Sequence, residues 1–184
     1  MARINPIPLD EMTPDQKRIN DEIAGSRGGG PAKGPFALWL RTPELADRAN
    51  AFGSFLRQQS SVPQRLVELA VLVVARTYTA QYEWYAHAKY VEKVGLSPAI
   101  AEAIRTRQDP VIEKEDEQIV HAVATALSVD RRLDDATYAR AVDVLGEQTL
   151  LDLVTIIGFY TMVAVILVSF DVDIPDGGPK PLAE

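Results

Sequence analysis

The chain of 184 residues contains no cysteine. That excludes a disulfide framework, a thiolate nucleophile, a cysteine-ligated metal and thiol peroxidase chemistry. Histidine is nearly as scarce, with two residues, His87 and His121. Basic residues are in the minority: 19 Lys and Arg face 26 Asp and Glu, for a net charge of −7. Nucleic acid and anionic membrane both select a basic face, so neither is expected as a partner. Period-two alternation is missing, and the one run that resembles a buried strand, Leu69–Val74, continues a helical register from Leu66. The opening MARINPIPLDEM has no apolar core of a secretory signal, which makes the cytoplasm the expected location. One long apolar run exists, Leu150 to Phe170, about the length of a membrane span. Asp152, Thr155, Tyr160, Thr161 and Ser169 interrupt it and no Lys or Arg anchors its ends. A charge inside a span is costly in lipid, so the run reads as a helix buried in protein and partly at a subunit interface.

What is present reads as helix after helix in a single domain, residues 1–184, with an extended arm at 1–12 and a Pro/Gly tail at 175–184. Thr13-Pro14-Asp15 starts a helix to about Ala24: a capping hydroxyl, a proline at the first helical position, then an acid at the positive end of the dipole. The glycine-rich stretch 25–31 lacks Gly-Lys-Ser/Thr, so it reads as a flexible loop and not a phosphate cradle. Thr42-Pro43-Glu44 starts a helix to about Gln59 with Leu45, Ala49, Phe52 and Leu56 as its apolar stripe. Ser61-Val62-Pro63 starts another, apolar almost all round and therefore central. After a break at Thr77-Tyr78-Thr79, Thr79 is expected to cap a helix that Gly95 ends. Ser97-Pro98 opens a short helix to about Arg105, Glu113–Glu117 open one through Ser128, and Asp134 opens one ended near Gly146. A long helix from Glu147 closes the chain. The fold class expected is all-α, a single-domain bundle of seven or eight helices.

The chemistry concentrates between Glu68 and His87. Glu83 and His87 stand at i and i+4 of one helix and share a face. A carboxylate beside an imidazole fixes its tautomer and suits the pair to proton transfer. Glu68 sits in the apolar helix before them, where an unpaired carboxylate is expensive; Arg76 and His87 are its two candidate partners. Phe36, Trp39, Tyr82 and Trp84 are candidate pocket walls, and Arg41 or Arg76 is available to a substrate carboxylate. Metal is not expected. Di-iron bundles use Glu-x-x-His on two helices, whereas the pair here has a different spacing and occurs once. His121 reads as a packing or surface histidine.

Glu68, Ala80, Glu83 and His87 together resemble the core signature of the carboxymuconolactone decarboxylase/alkylhydroperoxidase D-like superfamily. Redox members carry a glutamate, a Cys-x-x-Cys and a histidine at this spacing; here Ala80 and Glu83 stand at the cysteine positions. Tyr82-Glu83-Trp84 followed by His87 is similar to the Glu-Trp-x-x-His of the cysteine-less, decarboxylase-like branch. Gly34-Pro35-Phe36-Ala37 with Thr42–Ala46 resembles the family's opening loop and next helix, and Phe159–Val163 with the run to Val172 its closing helix. The resemblance covers roughly residues 30 to 175. It implies a cofactor-independent lyase acting on a small carboxylated lactone or related acid in aromatic-compound catabolism. It also implies a homo-oligomer, trimer or hexamer. In that reading His87 donates or relays the proton, Glu83 orients it, Glu68 completes the network, and the substrate's own conjugated carbonyl takes the charge. The alternative from another class is a non-catalytic helical oligomer in which Glu68, Glu83 and His87 form a structural network.

Overall fold

The structure, a computed structural model, describes residues 2–25 and 29–184, apart from the side chain of Asp176. Ser26, Arg27 and Gly28, in the glycine-rich stretch, lie outside the described residues. Nine α-helices and no strand occur among the described residues: α1 Pro14–Gly25, α2 Pro35–Trp39, α3 Pro43–Gln58, α4 Gln64–Thr77, α5 Gln81–Ala88, α6 Pro98–Arg105, α7 Glu115–Thr125, α8 Asp135–Leu145 and α9 Glu147–Ser169. The all-α expectation holds, with more helices than expected because Pro35–Trp39, read as a loop, closes a helical turn of its own.

The start signals work unequally. Thr13 and Gln16 form a reciprocal capping box, Gln16 N donating to Thr13 Oγ1 at 3.3 Å and Thr13 N to Gln16 Oε1 at 3.0 Å. Asp134 caps α8 through Thr137 N at 2.9 Å. Thr79, in contrast, caps nothing. It sits at φ +52° in the reversal between α4 and α5, Ala80 takes the N-cap position, and the Thr79 hydroxyl accepts from Arg76 Nη1 at 3.1 Å. The helix expected to end at Gly95 stops at Ala88, and turns carry the chain on to Gly95. The helix expected through Ser128 ends at Thr125 and relaxes into one π-helical turn, Ala126–Asp130.

α4 is the hub. Every residue from Leu66 to Arg76 is buried, and α5, α6, α7 and α9 pack around it. Each fully buried leucine or valine there contributes roughly 1.5–3 kcal/mol. α3 departs from its expected stripe. Ala46, Ala49, Gly53 and Leu56 face inward, while Leu45, Phe52 and Phe55 are 45–47% exposed. The reason is a close approach: a Cβ at Gly53 would lie 2.8 Å from the Phe159 ring, so the glycine lets α3 sit against α9. α9 buries one face, from Leu150 to Leu167, and is held by its only charge past the first turn. Asp152 Oδ2 accepts from Ser61 N and Ser61 Oγ, both at 2.8 Å, and Oδ1 from Gln148 at 3.0 Å. The Ser61 backbone N–H, with the other two donors against a small burial cost, holds the Asp152 carboxyl below its usual range.

Candidate active site

The α4–α5 reversal folds the two helices back on each other, and that brings Glu68 to His87. Glu68 Oε2 lies 2.8 Å from His87 Nδ1, with side chains 9% and 16% exposed. Of its two candidate partners, Glu68 therefore has the histidine. Arg76, two turns further along α4, is spent elsewhere: Nη1 on Thr79 and Nη2 on the Ala183 carbonyl at 2.8 Å. Its burial, and after that Arg107 and Arg105, push the Arg76 guanidinium below its usual value. Arg41 is also remote in function; it is exposed and donates to the Asn5 carbonyl at 2.8 Å.

Glu83 does not orient His87. Helical spacing brings their Cβ atoms near, but Glu83 lies in the first turn of α5 and turns inward, 1% exposed. Neither carboxyl oxygen has a hydrogen-bond partner among the described residues. Burial pushes the Glu83 carboxyl well above the usual carboxylate value. An unpaired carboxylate in such a place is far costlier than the neutral acid, so burial favours the protonated form of Glu83. The two glutamates thus differ in kind: one is hydrogen-bonded to an imidazole, the other is a buried acid.

Two further residues complete the site. Tyr160, from the buried face of α9, sets its ring perpendicular to His87 with centroids 5.0 Å apart, and Phe159 stands perpendicular to Tyr160 at 5.4 Å. Burial first, opposed by Arg57, and then the charges of Glu68 and Glu83 move the Tyr160 hydroxyl up to about 12, so it remains a donor. Arg57, in the last turn of α3, lies close enough to that hydroxyl to oppose the rise. Nothing in the sequence links the end of α3 to the middle of α9; only an arginine one residue past a buried leucine hinted at it.

The candidate walls separate into two groups. Phe36 and Trp39 are buried, edge to face at 5.2 Å, and belong to the core with Trp84. Tyr82 is half-buried and packs on Gly34, where φ is +60° and a Cβ would come within 2.5 Å of the ring. Tyr82 and Ala80 line a cavity of about 340 Å³ at the start of α5. A second cavity, of about 420 Å³, lies between α8 and α9 around Tyr138 and Leu151. His121 is half-buried on α7; burial pushes its imidazole below the usual value, with Asp109 opposing. Among the described residues no three His, Asp or Glu side chains cluster as a metal site requires.

No family model and no curated protein matches the chain. Solved structures do. A cysteine-to-alanine variant of the debrominase Bmp8 in complex with 2,3,4-tribromopyrrole superposes with a TM-score of 0.73 over 95% of this chain and 92% of its own, at 15% identity. An uncharacterized peroxidase-related protein from Silicibacter sp. TM1040 superposes with a TM-score of 0.69 over 92% of this chain and 87% of its own, at 14% identity. The chain has the alkylhydroperoxidase D-like fold. Enzymes occur among the proteins that share this fold. In this chain, the positions expected for the two cysteines hold Ala80, buried at the N-cap of α5, and the buried Glu83.

Proposed function

We propose that the chain is a cofactor-independent enzyme of the lyase type that removes carbon dioxide from a small carboxylated lactone or related acid. The observation that carries this reading is the pairing of a Glu68–His87 hydrogen bond with a separate, buried Glu83 whose carboxyl burial pushes upward. A held imidazole beside a carboxyl in a different environment suits separate acid and base roles. In the reaction the bond from carbon to the carboxylate breaks and its electron pair enters the conjugated carbonyl as an enolate. His87, held through Nδ1 by Glu68, presents Nε2 to deliver or relay a proton to that carbon. Glu83 is the proton reservoir. Tyr160 donates to the developing oxyanion, and Arg57 takes the carboxylate role first expected of Arg41 or Arg76. One proton is consumed and one carbon dioxide released per turnover. Without a cysteine, thiol peroxidase activity is chemically closed to this chain.

The working form proposed is a homo-oligomer, a trimer or hexamer, in the cytoplasm. Leu151, Val154, Met162, Val165 and Val168 form an exposed stripe along α9, 36–62% open. Gly158, on the same helix, has open space around the position of a Cβ. A glycine facing outward in mid-helix costs about 1 kcal/mol against alanine, and close approach of a second helix explains it. The test of activity is consumption of a panel of carboxylated lactones, including γ-carboxymuconolactone, followed by ultraviolet absorbance and carbon dioxide release. Turnover by the native chain and its loss in His87→Ala, with helical circular dichroism unchanged, supports the assignment. Unchanged turnover in His87→Ala removes the histidine from the mechanism. Absence of turnover across the panel moves the structural-network reading ahead.

A further inference from the structure

The segment after Gly178 lies in a groove at the junction of α4, α5 and α6. Gln81, at the start of α5, reads both main-chain groups of one residue there. Its Nε2 donates to the Leu182 carbonyl at 2.8 Å and its Oε1 accepts from Leu182 N at 2.9 Å. Arg76 of α4 donates to the Ala183 carbonyl at 2.8 Å, and Arg105 of α6 to the Pro181 carbonyl at 3.1 Å. Three consecutive residues are therefore held through their backbone by three helices. The Leu182 side chain, 3% exposed, fills an apolar slot as the anchor. This is how extended peptides are recognised: main-chain hydrogen bonds for affinity and one side-chain pocket for selectivity.

Two features suit the segment to act as a releasable strap that docks Leu182 into the core. It is joined to the body through Gly177, at φ +65°, and Gly178, with prolines on either side. Glycines give the pivot; Pro179 and Pro181 keep the arm beyond it extended. The strap also forms a wall of the 340 Å³ cavity, where Lys180 and Glu184 face Thr79, Ala80, Tyr82 and Val172. The groove beneath stays primed for carbonyl oxygens. Arg76 is 5% exposed and its Nε is already without a partner, so losing Ala183 leaves a second buried donor unpaired.

We propose that the α4–α5–α6 groove is a receptor for an extended peptide anchored by one leucine, and that residues 180–184 occupy it in cis as a lid on the cavity beside Ala80 and Tyr82. The occupant is this chain's own strap. The assignment is independent of the reaction catalysed.

The cysteine-free chain supplies its own reporter. Ala80→Cys places a single thiol in the cavity wall, and its rate of alkylation by iodoacetamide reads the lid. Adding Leu182→Asp should raise that rate at least about tenfold, as a lost tether exposes the effective-concentration advantage of the closed lid. A doubly blocked synthetic peptide of residues 178–184, labelled with a fluorophore, should bind the full-length Leu182→Asp chain saturably by anisotropy. It should bind the native chain at least about tenfold more weakly, because the strap competes. Gln81→Ala in the Leu182→Asp background should abolish peptide binding. Equal alkylation rates with and without Leu182→Asp overturn the lid. Failure of the peptide to bind the Leu182→Asp chain, or equal binding to the native one, overturns the receptor. The anisotropy measurement does not involve Ala80→Cys and stands even where that variant fails to fold.

Discussion

Two polar constellations share the α4–α5 hairpin and solve burial in opposite ways. Near the start of α4, Glu68 and Tyr160 meet one imidazole, while Glu83 turns from it into the core. Burial biases that unpartnered acid towards its neutral form. At the end of α4, Arg76 stands near Arg105 and Arg107, and guanidinium groups do not neutralise, so the chain lays the Ala183 and Pro181 carbonyls over Arg76 and Arg105. A carboxyl group escapes burial by holding a proton; an arginine escapes only by finding acceptors. The first arrangement therefore leaves a transferable proton inside the molecule. The second leaves a demand for oxygen atoms that a neighbouring segment must meet. The acid end is suited to chemistry and the basic end to holding on.

The sharpest way to break this contrast is at the imidazole. His87→Ala should lower turnover of an active carboxylated lactone by about 10²–10⁴-fold, the usual weight of a positioned proton-transfer group, and the melting temperature should also fall because the buried Glu68 loses its partner. Glu68→Gln should fall between, since it keeps a hydrogen bond to Nδ1 but loses the charge; steady-state kinetics on both variants measures the interval.

At the basic end, Arg76→Leu should destabilise the fold by roughly 1–3 kcal/mol. It leaves the Ala183 carbonyl without its donor and the Thr79 hydroxyl with only the longer bond from Arg107 at 3.5 Å. Urea unfolding reads the loss. A variant as stable as the native chain removes the claim that the carbonyls are there for the arginine.

The acid end has a pH signature with a defined sign. A carboxyl whose pKa is raised by folding contributes its stability fully below the unfolded value, 4.5, and loses it as pH rises through the folded value. Each unit of that rise corresponds to about 1.4 kcal/mol. Glu83→Gln should flatten the decline in unfolding free energy as pH rises above 4.5, measured by urea unfolding at a series of pH values. A native-like decline in the variant shows that Glu83 is not the buried acid responsible.

The smallest effect on the protomer is expected on the outer face of α9. Met162→Glu should shift the mass seen by light scattering towards the single chain, while altering protomer stability by no more than about 0.5 kcal/mol. An unchanged mass takes α9 out of the contact between copies.

The sequence already spoke for the helices and for Glu68, because period, proline and glycine are local signals and a glutamate amid valines demands a partner. Which partner was a question of tertiary geometry. The i and i+4 spacing of Glu83 and His87 guarantees neighbouring Cβ atoms only; the first turn of α5 rolls Glu83 into the core and leaves His87 to α4. The stripe on α3 slipped by one residue because Gly53 carries no hydrophobicity yet permits the closest approach to α9. Arg57 and Tyr160 lie about a hundred residues apart and meet only when α3 and α9 pack. The strap was legible as a Pro/Gly tail, but its groove is assembled from three helices, and no local pattern marks such a place.

Asp152 bears on how the molecule is made. α9 is long and apolar enough to cross a bilayer by composition alone. It is also synthesised after α3, α4 and the Ser60-Ser61 turn have left the ribosome. Its docking partner thus waits for it, and the carboxylate that makes lipid unattractive is the same one that Ser61 is positioned to receive. A single side chain thus carries both a latch within the fold and a cost against lipid. Replacing Asp152 by leucine would remove the latch to Ser61 and the penalty against lipid at once.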